Sequence, residues 1–296
     1  MSSVDRLLVV DGHAYGYRAF HAIQRLTSPV GKPTNAIFGF LKMLGKLRAS
    51  LKPTHLIVVW DGGLSAERTT ALPEYKSHRP PMPPGLAEQL DEIVSYLEAA
   101  GIASFRQEGV EADDYIGCLA RRAAARRIRV VIASSDKDFW QLVSPMIGTV
   151  NPNDKTETVW TTAQVRARAG VEPPQVVDWL SLIGDSVDNI PGVPGVGPKT
   201  AADLLNQFGS VKALFERLAE VKSEKLRTSL QAAEAVVRRN QKLIRLKDDL
   251  PCDFRLDDLA GRVPDIARLR ELLGRWGFRS MLAQLEMLQP SQPHLL

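Results

Sequence analysis

The chain has 296 residues, of which 44% are hydrophobic and 24% charged, with a formal net charge of +4. This length suffices for one large or two smaller domains, and the hydrophobic content excludes a wholly disordered protein. No apolar run approaches the roughly 18 residues of a membrane span. The chain opens without a signal-peptide core, and its two cysteines give no disulfide framework, so we expect a cytoplasmic protein with no membrane contact.

The first part of the chain alternates between short β-rich runs and helical stretches. This alternation predicts α/β units built around a parallel sheet. Strands are predicted at Leu7–Val10, Leu56–Trp60, Ile102–Phe105 and Val130–Ala133, with weaker candidates at Ile147–Val150 and Thr158–Trp160. Helices are predicted at Thr34–Ser50, Leu86–Ala100 and Asp113–Arg127.

Acidic residues follow three of the predicted strands. Asp11 follows the first strand, Asp61 the second, and Asp136 with Asp138 the strand at 130–133. Ligands of parallel sheets bind beyond the carboxyl ends of the strands, so these side chains are expected to meet in one crevice. Two further acidic groups lie elsewhere in the chain: Glu111, Asp113 and Asp114 at a helix start, and Asp185 with Asp188.

These nine carboxylates together predict a metal site. A lone Asp after a strand is commonly a turn residue or a helix cap. Nine acids in one crevice would instead repel each other and raise their own pKa values unless cations neutralised them. Because no Cys or His stands at metal-ligand spacing, the oxygen ligands favour Mg²⁺ or Mn²⁺ over zinc.

Residues 62–85 interrupt the α/β pattern with five prolines and a basic centre. A long connection in a compact domain is commonly functional or mobile, and this one begins just after Asp61. We interpret it as a flexible flap over the site. Its Lys76 and Arg79, together with Arg18 after the first strand, are candidates to hold and polarise a phosphate, and Tyr75 could stack on a base.

After about residue 173 only helices are predicted. They lie at Val176–Ile183, Thr200–Phe208, Val211–Leu218 and Lys222–Leu246, with two short ones around Ile266–Leu273 and Ser280–Leu288. Residues 199–247 contain 11 Lys and Arg against 5 Asp and Glu, a basicity typical of nucleic-acid binding. We therefore predict an α/β domain over 1–172 and a smaller helical domain over 173–296.

A glycine-rich turn joins two of the helices in this second part. Its residues are Gly192, Gly195 and Gly197, followed by Lys199 and Thr200. The turn superficially resembles a nucleotide-binding P-loop, but Pro198 separates Gly197 from Lys199 and no strand precedes it. A helix–hairpin–helix turn that binds DNA phosphates fits better, because glycines allow close approach and a helix N-terminus offers free N–H groups. A tight helix–helix loop without ligand is the alternative.

Several segments together resemble the 5′-nuclease family, which includes the N-terminal domain of bacterial DNA polymerase I, phage 5′-exonucleases and flap endonucleases. The resemblance extends over about residues 4–290 and rests on LLVVDGHAYGYRAFHA, VVWDG, YKSHR, GVEADDYIG, ASSDKDFWQLV and LIGDSVDNIPGVPGVGPKTA. It implies a PIN-like parallel-sheet nuclease domain followed by a smaller helical helix–three-turn–helix DNA-binding domain.

The resemblance also implies roles for individual residues. Asp11, Asp61, Glu111, Asp113 and Asp114 would surround one metal ion, and Asp136, Asp138, Asp185 and Asp188 would surround or support a second. Arg18, Lys76 and Arg79 would contact phosphate, and Tyr75 would stack in the flap, which the family calls the helical arch. The glycine turn would bind duplex DNA, and in relatives it also holds a potassium ion.

The resemblance implies a magnesium-dependent 5′-3′ DNA exonuclease or flap endonuclease of replication and repair. Two-metal hydrolysis would leave 5′-phosphate and 3′-hydroxyl products. The expected partners are DNA with 5′ flaps, nicks or 5′ ends and a DNA polymerase, and the protein is expected to be a monomer. One alternative is a PIN-type ribonuclease, which usually lacks a helical duplex-binding domain. Another is a non-catalytic DNA-structure binder, for which nine mutually repelling acids would serve no purpose.

Overall fold

The computed structural model describes residues 5–154, 156, 158–252 and 254–287. Its strands β1 to β5 span Arg6–Asp11, His55–Trp60, Ala103–Arg106, Arg129–Ala133 and Ile147–Val150. They form one parallel sheet in the order β3-β2-β1-β4-β5, which confirms the predicted α/β class. The weak strand candidate at Thr158–Trp160 is wrong, because Trp160 makes only an isolated bridge with Thr149.

Helices cover the sheet and form the later part of the chain. The helices of the first part are α1 Gly12–Ala22, α2 Asn35–Leu51, α3 Ala66–Ala71, α4 Leu86–Ala99, α5 Ala112–Ala125 and α6 Thr162–Ala169. Those of the later part are α7 Val176–Ile183, α8 Pro198–Phe208, α9 Val211–Glu216, α10 Glu224–Ile244, α11 Leu256–Leu259, α12 Ile266–Trp276 and α13 Arg279–Met287. None of the helices in the described ranges is long and apolar enough to cross a bilayer.

The central strand β1 is buried on both faces. Leu8 and Val10 pack into a core with residues of α2 and α4, whereas Leu7 and Val9 pack into a core with residues of α5. Successive side chains of a strand point to opposite faces, so a strand covered on both sides is a continuous apolar run. This burial fixes the end of β1, and with it the position of Asp11.

The strand order reverses beside β1. The chain runs outward from β1 to β2 and β3, and then crosses back to place β4 on the other side of β1. In open parallel sheets, ligands bind beyond the carboxyl ends of the strands at such a switch point. The carboxyl ends of β1 and β4 are therefore the expected place for a functional site.

Helices α7 to α10 form a third core, and the flap of residues 62–85 contributes to it. Leu72 and Tyr75 of the flap are buried in this core together with residues of α7 and α8. The buried Asn240 of α10 donates to the backbone carbonyls of Ser181 and Pro191, at 3.1 and 2.7 Å. The flap and the helical region thus share one core.

The chain does not stay in the helical region after α10. Cys252 and Leu259 pack into the core beside α5, and Leu272 and Trp276 of α12 pack into the core with α2 and α4. The last described part of the predicted helical domain over 173–296 thus packs against the cores of the sheet domain. Helical periodicity shows that these segments have an apolar face, but not which core that face joins.

Candidate active site

A cavity of about 370 Å³ lies at the carboxyl ends of β1, β2 and β4. Six of the nine predicted metal ligands line it: Asp11, Asp61, Asp113, Asp136, Asp185 and Asp188. A larger groove of about 970 Å³ runs along β3 and α4 and shares only His13 with this cavity. We place the candidate site in the smaller cavity because the carboxylates converge there, at the switch point of the sheet.

The sheet domain holds Asp11 and Asp61 at the ends of adjacent strands. Asp11 is 7% exposed, caps α1 by accepting a hydrogen bond from the Ala14 N–H at 3.0 Å, and accepts one from the Ser134 hydroxyl at 2.7 Å. Burial raises the pKa of Asp11, although these two hydrogen bonds partly offset the effect. Asp61 is held through its own N–H, which donates to Nδ1 of His13 at 3.1 Å.

Asp136 and Asp138 follow β4 at a short 3₁₀ turn. Asp136 caps this turn by accepting a hydrogen bond from the Asp138 N–H at 2.8 Å, and burial raises its pKa to about 6. Burial and the nearby Asp136 carboxylate raise the pKa of Asp138 as well. The buried Oδ1 of Asp138 has no hydrogen-bond partner, which is unusual for a carboxylate oxygen.

Asp185 and Asp188 reach the cavity from the helical region. They lie in a loop that closes on itself, because Asp185 and Ile190 exchange two backbone hydrogen bonds of 2.8 and 2.7 Å. Asp185 forms an ion pair of 3.2 Å with Lys137, and Asp188 forms one of 2.6 Å with Arg79. The site therefore lies where the sheet domain, the flap and the helical region meet.

Glu111 is the most buried of the predicted ligands, at 1% exposed, and lies beside the cavity rather than in its lining. Its carboxylate pairs with Lys76, lies 3.3 Å from Arg68, and accepts hydrogen bonds from the Ser65 N–H and the Tyr75 hydroxyl. Burial alone would raise the pKa of Glu111, but the two cations lower it below its ordinary value. Glu111 is thus stabilised as a charged group by residues of the flap.

Asp114 does not line the cavity, and its predicted place around a metal ion stays a prediction. Its two carboxylate oxygens accept hydrogen bonds of 2.9 and 2.7 Å from the guanidinium of Arg68, and a third of 3.0 Å comes from the Lys247 N–H. Arg68 also donates to the carbonyl of Leu243 at 2.8 Å. Asp114 therefore joins α5 to the flap and to the end of α10.

The flap is more closely packed than its sequence predicts. Tyr75 is 4% exposed and Lys76 is 5% exposed, so Tyr75 does not present a free stacking surface in this structure. Nζ of Lys76 lies 3.8 Å from Asp113 and 4.0 Å from Asp188, in addition to its pair with Glu111. Burial alone would lower the pKa of Lys76, but Asp113 and Glu111 raise it, so the side chain is a cation.

The flap, which the family calls the helical arch, is not a long helix in the described residues. The only α-helix within residues 62–85 is α3, and turns and an extended proline-rich stretch follow it. Arg79 lines the cavity and keeps 41% of its side chain exposed. Arg18 is exposed on α1 and does not line the cavity.

The glycine turn lies exposed between α7 and α8. Gly197 caps α8 without a side chain, and a Cβ atom added to Gly195 or Gly197 would meet no atom within 4 Å. Lys199 is exposed and Thr200 is half-buried in the first turn of α8. Gly192 differs, because a Cβ there would lie 2.2 Å from the carbonyl oxygen of Ile183. Gly192 therefore shapes the turn, whereas the backbone at Gly195 and Gly197 is open to a ligand.

The cluster is chemically suited to hard divalent cations. Burial and the neighbouring Asp136 raise the pKa of Asp113 well above its ordinary value, in line with the shifts of Asp11, Asp136 and Asp138. Crowded carboxylates and the unpartnered Oδ1 of Asp138 show a shortage of positive charge. Across the described ranges, no three His, Cys, Asp or Glu side chains already enclose one point, so binding would require the carboxylates to converge.

Three residues that the sequence did not single out contact the acids of the site or its border. Lys137 pairs with Asp185, Ser134 orients Asp11, and Arg68 anchors the flap. Lys137 and Ser134 lie within the acidic segment after β4, so their neighbours could have indicated them. Nothing in the local sequence around Arg68 distinguishes it from a solvated surface charge.

Comparisons with known proteins assign the family. The 5′-3′ exonuclease N-terminal resolvase-like domain matches residues 6–170, and the 5′-3′ exonuclease C-terminal SAM fold matches residues 171–267. A 5′-3′ exonuclease of Aquifex aeolicus is 37% identical over 292 residues, covering 98% of this chain and 99% of the relative. DNA polymerase I of Bacillus caldotenax is 39% identical over 284 residues, and the match spans 95% of this chain and 32% of the polymerase.

A solved structure supports the same fold. A mutant bacteriophage T5 flap endonuclease, in a pseudo-enzyme–product complex with DNA and metal ions, superposes with a TM-score of 0.66 at 22% identity. The match covers 95% of this chain and 97% of that one. The chain has the fold of a resolvase-like nuclease with a helical SAM-like region, and it belongs to the 5′-3′ exonuclease family.

Proposed function

We propose that this protein is a magnesium-dependent 5′-3′ exonuclease and flap endonuclease that hydrolyses DNA phosphodiesters to 5′-phosphate and 3′-hydroxyl products. The observation that carries the proposal is the acidic cavity at the switch point of the sheet, lined by six aspartates and bordered by flap cations. An acidic cluster beside cations provides for metal ions and for the phosphate that they would bind.

Two groups of carboxylates would hold two divalent ions. Asp11, Asp61, Asp113 and Glu111 come from the sheet domain and are the candidates for one ion. Asp136, Asp138, Asp185 and Asp188 are the candidates for the second. When bound, such ions supply a hydroxide nucleophile near neutral pH and stabilise the charge that develops on the phosphate.

The flap cations are placed to hold the phosphate. Lys76 lies within 4.0 Å of Asp188 and 3.8 Å of Asp113, so a phosphate bound between these carboxylates would be within its reach. Arg79 is the more exposed of the two, and its guanidinium can donate hydrogen bonds to two phosphate oxygens. Both charges would strengthen their contacts as negative charge builds up in the transition state.

The helical region would hold the duplex. The open backbone at Gly195 and Gly197 and the exposed N-terminal turn of α8, with Lys199 and Thr200, can approach a DNA phosphate closely. Binding of this kind carries little sequence information, which suits an enzyme that recognises the structure of a DNA end. The relationship to DNA polymerase I supports a role in replication and repair, with a polymerase as the partner.

One assay tests the proposal. End-labelled 5′-flap, nicked and single-stranded substrates are incubated with the protein in magnesium and in EDTA. We expect cleavage near the 5′ end of the flap or nick in magnesium only. The variant Asp185→Ala should cleave at least about 100-fold more slowly, on the order of 2.7 kcal/mol of transition-state stabilisation.

Asp257→Ala provides the matched control, because Asp257 is an exposed carboxylate on α11 outside the cavity. It should cleave at the wild-type rate. Cleavage in EDTA, or an equal loss in both variants, would contradict the proposed site. Faster cleavage of an end-labelled single-stranded RNA, assayed in parallel, than of the DNA substrates would favour the ribonuclease alternative.

A further inference from the structure

Two residues other than glycine face each other in left-handed backbone conformations beside the site. Lys76 in the flap and Asn189 in the acidic loop both have a φ of 56°. The other two such residues in the described ranges, Lys52 and Arg127, lie at the ends of helices α2 and α5, where this conformation is common. Lys76 and Asn189 end no helix. Such conformations persist where the surroundings enforce them, often at functional sites.

Direct hydrogen bonds join these two segments. The side-chain amide of Asn189 donates from Nδ2 to the Glu74 carbonyl at 2.9 Å and to the Ser77 hydroxyl at 3.3 Å. The N–H of Lys76 donates to the Asp188 carbonyl at 3.0 Å. Asn189 therefore uses both of its amide hydrogens on the turn that holds Lys76.

The loop that carries Asn189 is a rigid support. Asp185 and Ile190 close it with two backbone hydrogen bonds, and Gly184 and Gly192 pack so closely that neither has room for a Cβ atom. On the other side, the turn at residues 74–79 bears both flap cations. The loop and the turn are joined by the Asn189 amide, by the Lys76 N–H and by the ion pair of Arg79 with Asp188, and Asn189 supplies the two side-chain hydrogen bonds to the backbone and hydroxyl of the turn.

We propose that Asn189 is a positioning residue that holds the flap turn so that Lys76 and Arg79 face the carboxylate cluster. This inference rests on the proposed function, in which those cations act on the phosphate. Asparagine combines two properties needed here, since it tolerates a positive φ and donates a hydrogen bond. Glycine supplies only the first property. Aspartate would direct a carboxylate oxygen at the carbonyl of Glu74.

The test compares Asn189→Gly and Asn189→Asp with the wild-type protein in single-turnover cleavage of a 5′-flap duplex. We expect both variants to cut about 10-fold more slowly with unchanged substrate affinity, because the cations act mainly in the transition state. Ser186→Gly is the matched control, an exposed residue of the same loop, and should cut at the wild-type rate.

A second experiment, in a protein without the two flap cations, distinguishes a positioning role of Asn189 from damage to the acidic loop. In a protein that already carries Lys76→Ala and Arg79→Ala, adding Asn189→Gly should lower the rate by less than about 2-fold, because residues acting as one unit give non-additive losses. A further 10-fold loss in that background would overturn the proposal, since Asn189 would then act through the carboxylates of its own loop.

Hydrogen exchange gives a readout that needs no activity. In Asn189→Gly, amide exchange over residues 74–79 should rise about 10-fold, while exchange in α10 stays unchanged. Unchanged exchange over residues 74–79 would overturn the proposal whatever the cleavage rates are. If the wild-type protein cuts none of the DNA substrates, the proposed function fails, and the exchange measurement still decides whether Asn189 holds the turn.

Discussion

Asp113 and Asp114 are neighbours in the chain but have different environments. Consecutive residues of a helix do not face the same way, so Asp113 lines the cavity while Asp114 faces Arg68. Asp113 is crowded by other acids, and Asp114 has a bidentate cation. The first is suited to binding a metal ion and the second to holding the fold.

Alanine at these two positions should therefore have opposite effects. Asp114→Ala leaves the buried Arg68 without its main partner and should cost on the order of 3 kcal/mol of unfolding free energy. Asp113→Ala removes one repelling charge and should not lower stability in EDTA, although cleavage in magnesium should fall sharply. Urea unfolding and cleavage assays on both variants measure this. Asp114→Ala with full stability and lost cleavage would make Asp114 a metal ligand after all.

The raised pKa of Asp136 predicts a pH dependence of stability. Burial raises this pKa from 3.8 to about 6, so the folded protein binds a proton more readily than the unfolded chain. The free energy by which this proton stabilises the folded protein is present below about pH 4 and is lost as the pH rises through about 6. At pH 7 in EDTA, Asp136→Asn should thus be more stable than wild type, by on the order of 1–2 kcal/mol.

At pH 3 the difference in unfolding free energy between Asp136→Asn and wild type should nearly vanish, because the wild-type carboxyl is then largely protonated in both the folded and the unfolded state. Denaturant unfolding at several pH values measures this difference. Asparagine is chosen because its side chain keeps an oxygen that can accept the hydrogen bond from the Asp138 N–H. A difference that does not change with pH would show that the pKa of Asp136 is not raised in the folded protein.

Sequence reasoning located the acidic cluster but not the partners of each acid. Strand ends and helix starts place carboxylates at one edge of a sheet, and this can be predicted from apolar runs alone. Whether Asp114 meets a metal ion or Arg68 depends on a residue 46 positions away in the chain. The burial of Tyr75 likewise depends on its packing against the helical region, and the sequence around Tyr75 does not indicate this packing.

At the scale of elements, the glycines of the turn between α7 and α8 have two different structural roles. Gly192 has no room for a side chain because Ile183 lies against it, and Gly195 has a φ of 82°. Gly197 has ordinary extended backbone and open space around it. Only Gly197 can be changed without straining the fold, so it is the position at which DNA contact can be tested.

Gly197→Val should fold normally and bind duplex DNA about 10-fold more weakly, because a branched side chain blocks close approach to a phosphate. Thermal unfolding checks the fold, and a duplex-binding titration at two salt concentrations checks the contact, since phosphate binding weakens steeply with salt. Unchanged affinity in the folded variant would remove this turn from the DNA-binding surface.

Most elements could be predicted, and the exceptions have physical causes. The strands of the sheet and helices α2, α4, α5 and α7 match their predicted ranges within a few residues. Helix α1 was not predicted, because two glycines and few long apolar residues give it a weak helical pattern. The flap was expected to be flexible, but Leu72 and Tyr75 anchor it in the helical core.

At the scale of the whole molecule, the site depends on three parts that meet at one cavity. The sheet domain supplies acids from β1, β2, β4 and α5, the helical region supplies Asp185 and Asp188, and the flap supplies cations. Helix α12 then returns from the helical region to the core of the sheet domain. The chain therefore connects the two regions a second time, and acids of both regions line the same cavity.

In the function that we propose, this shared cluster binds two metal ions that act together on one phosphate. Single-turnover cleavage of a 5′-flap duplex is to be measured against magnesium concentration, well below saturation. If two ions are required, a plot of log rate against log magnesium concentration should have a slope of about 2. A slope of about 1 would contradict two-metal catalysis, and cleavage independent of magnesium would contradict the metal site itself.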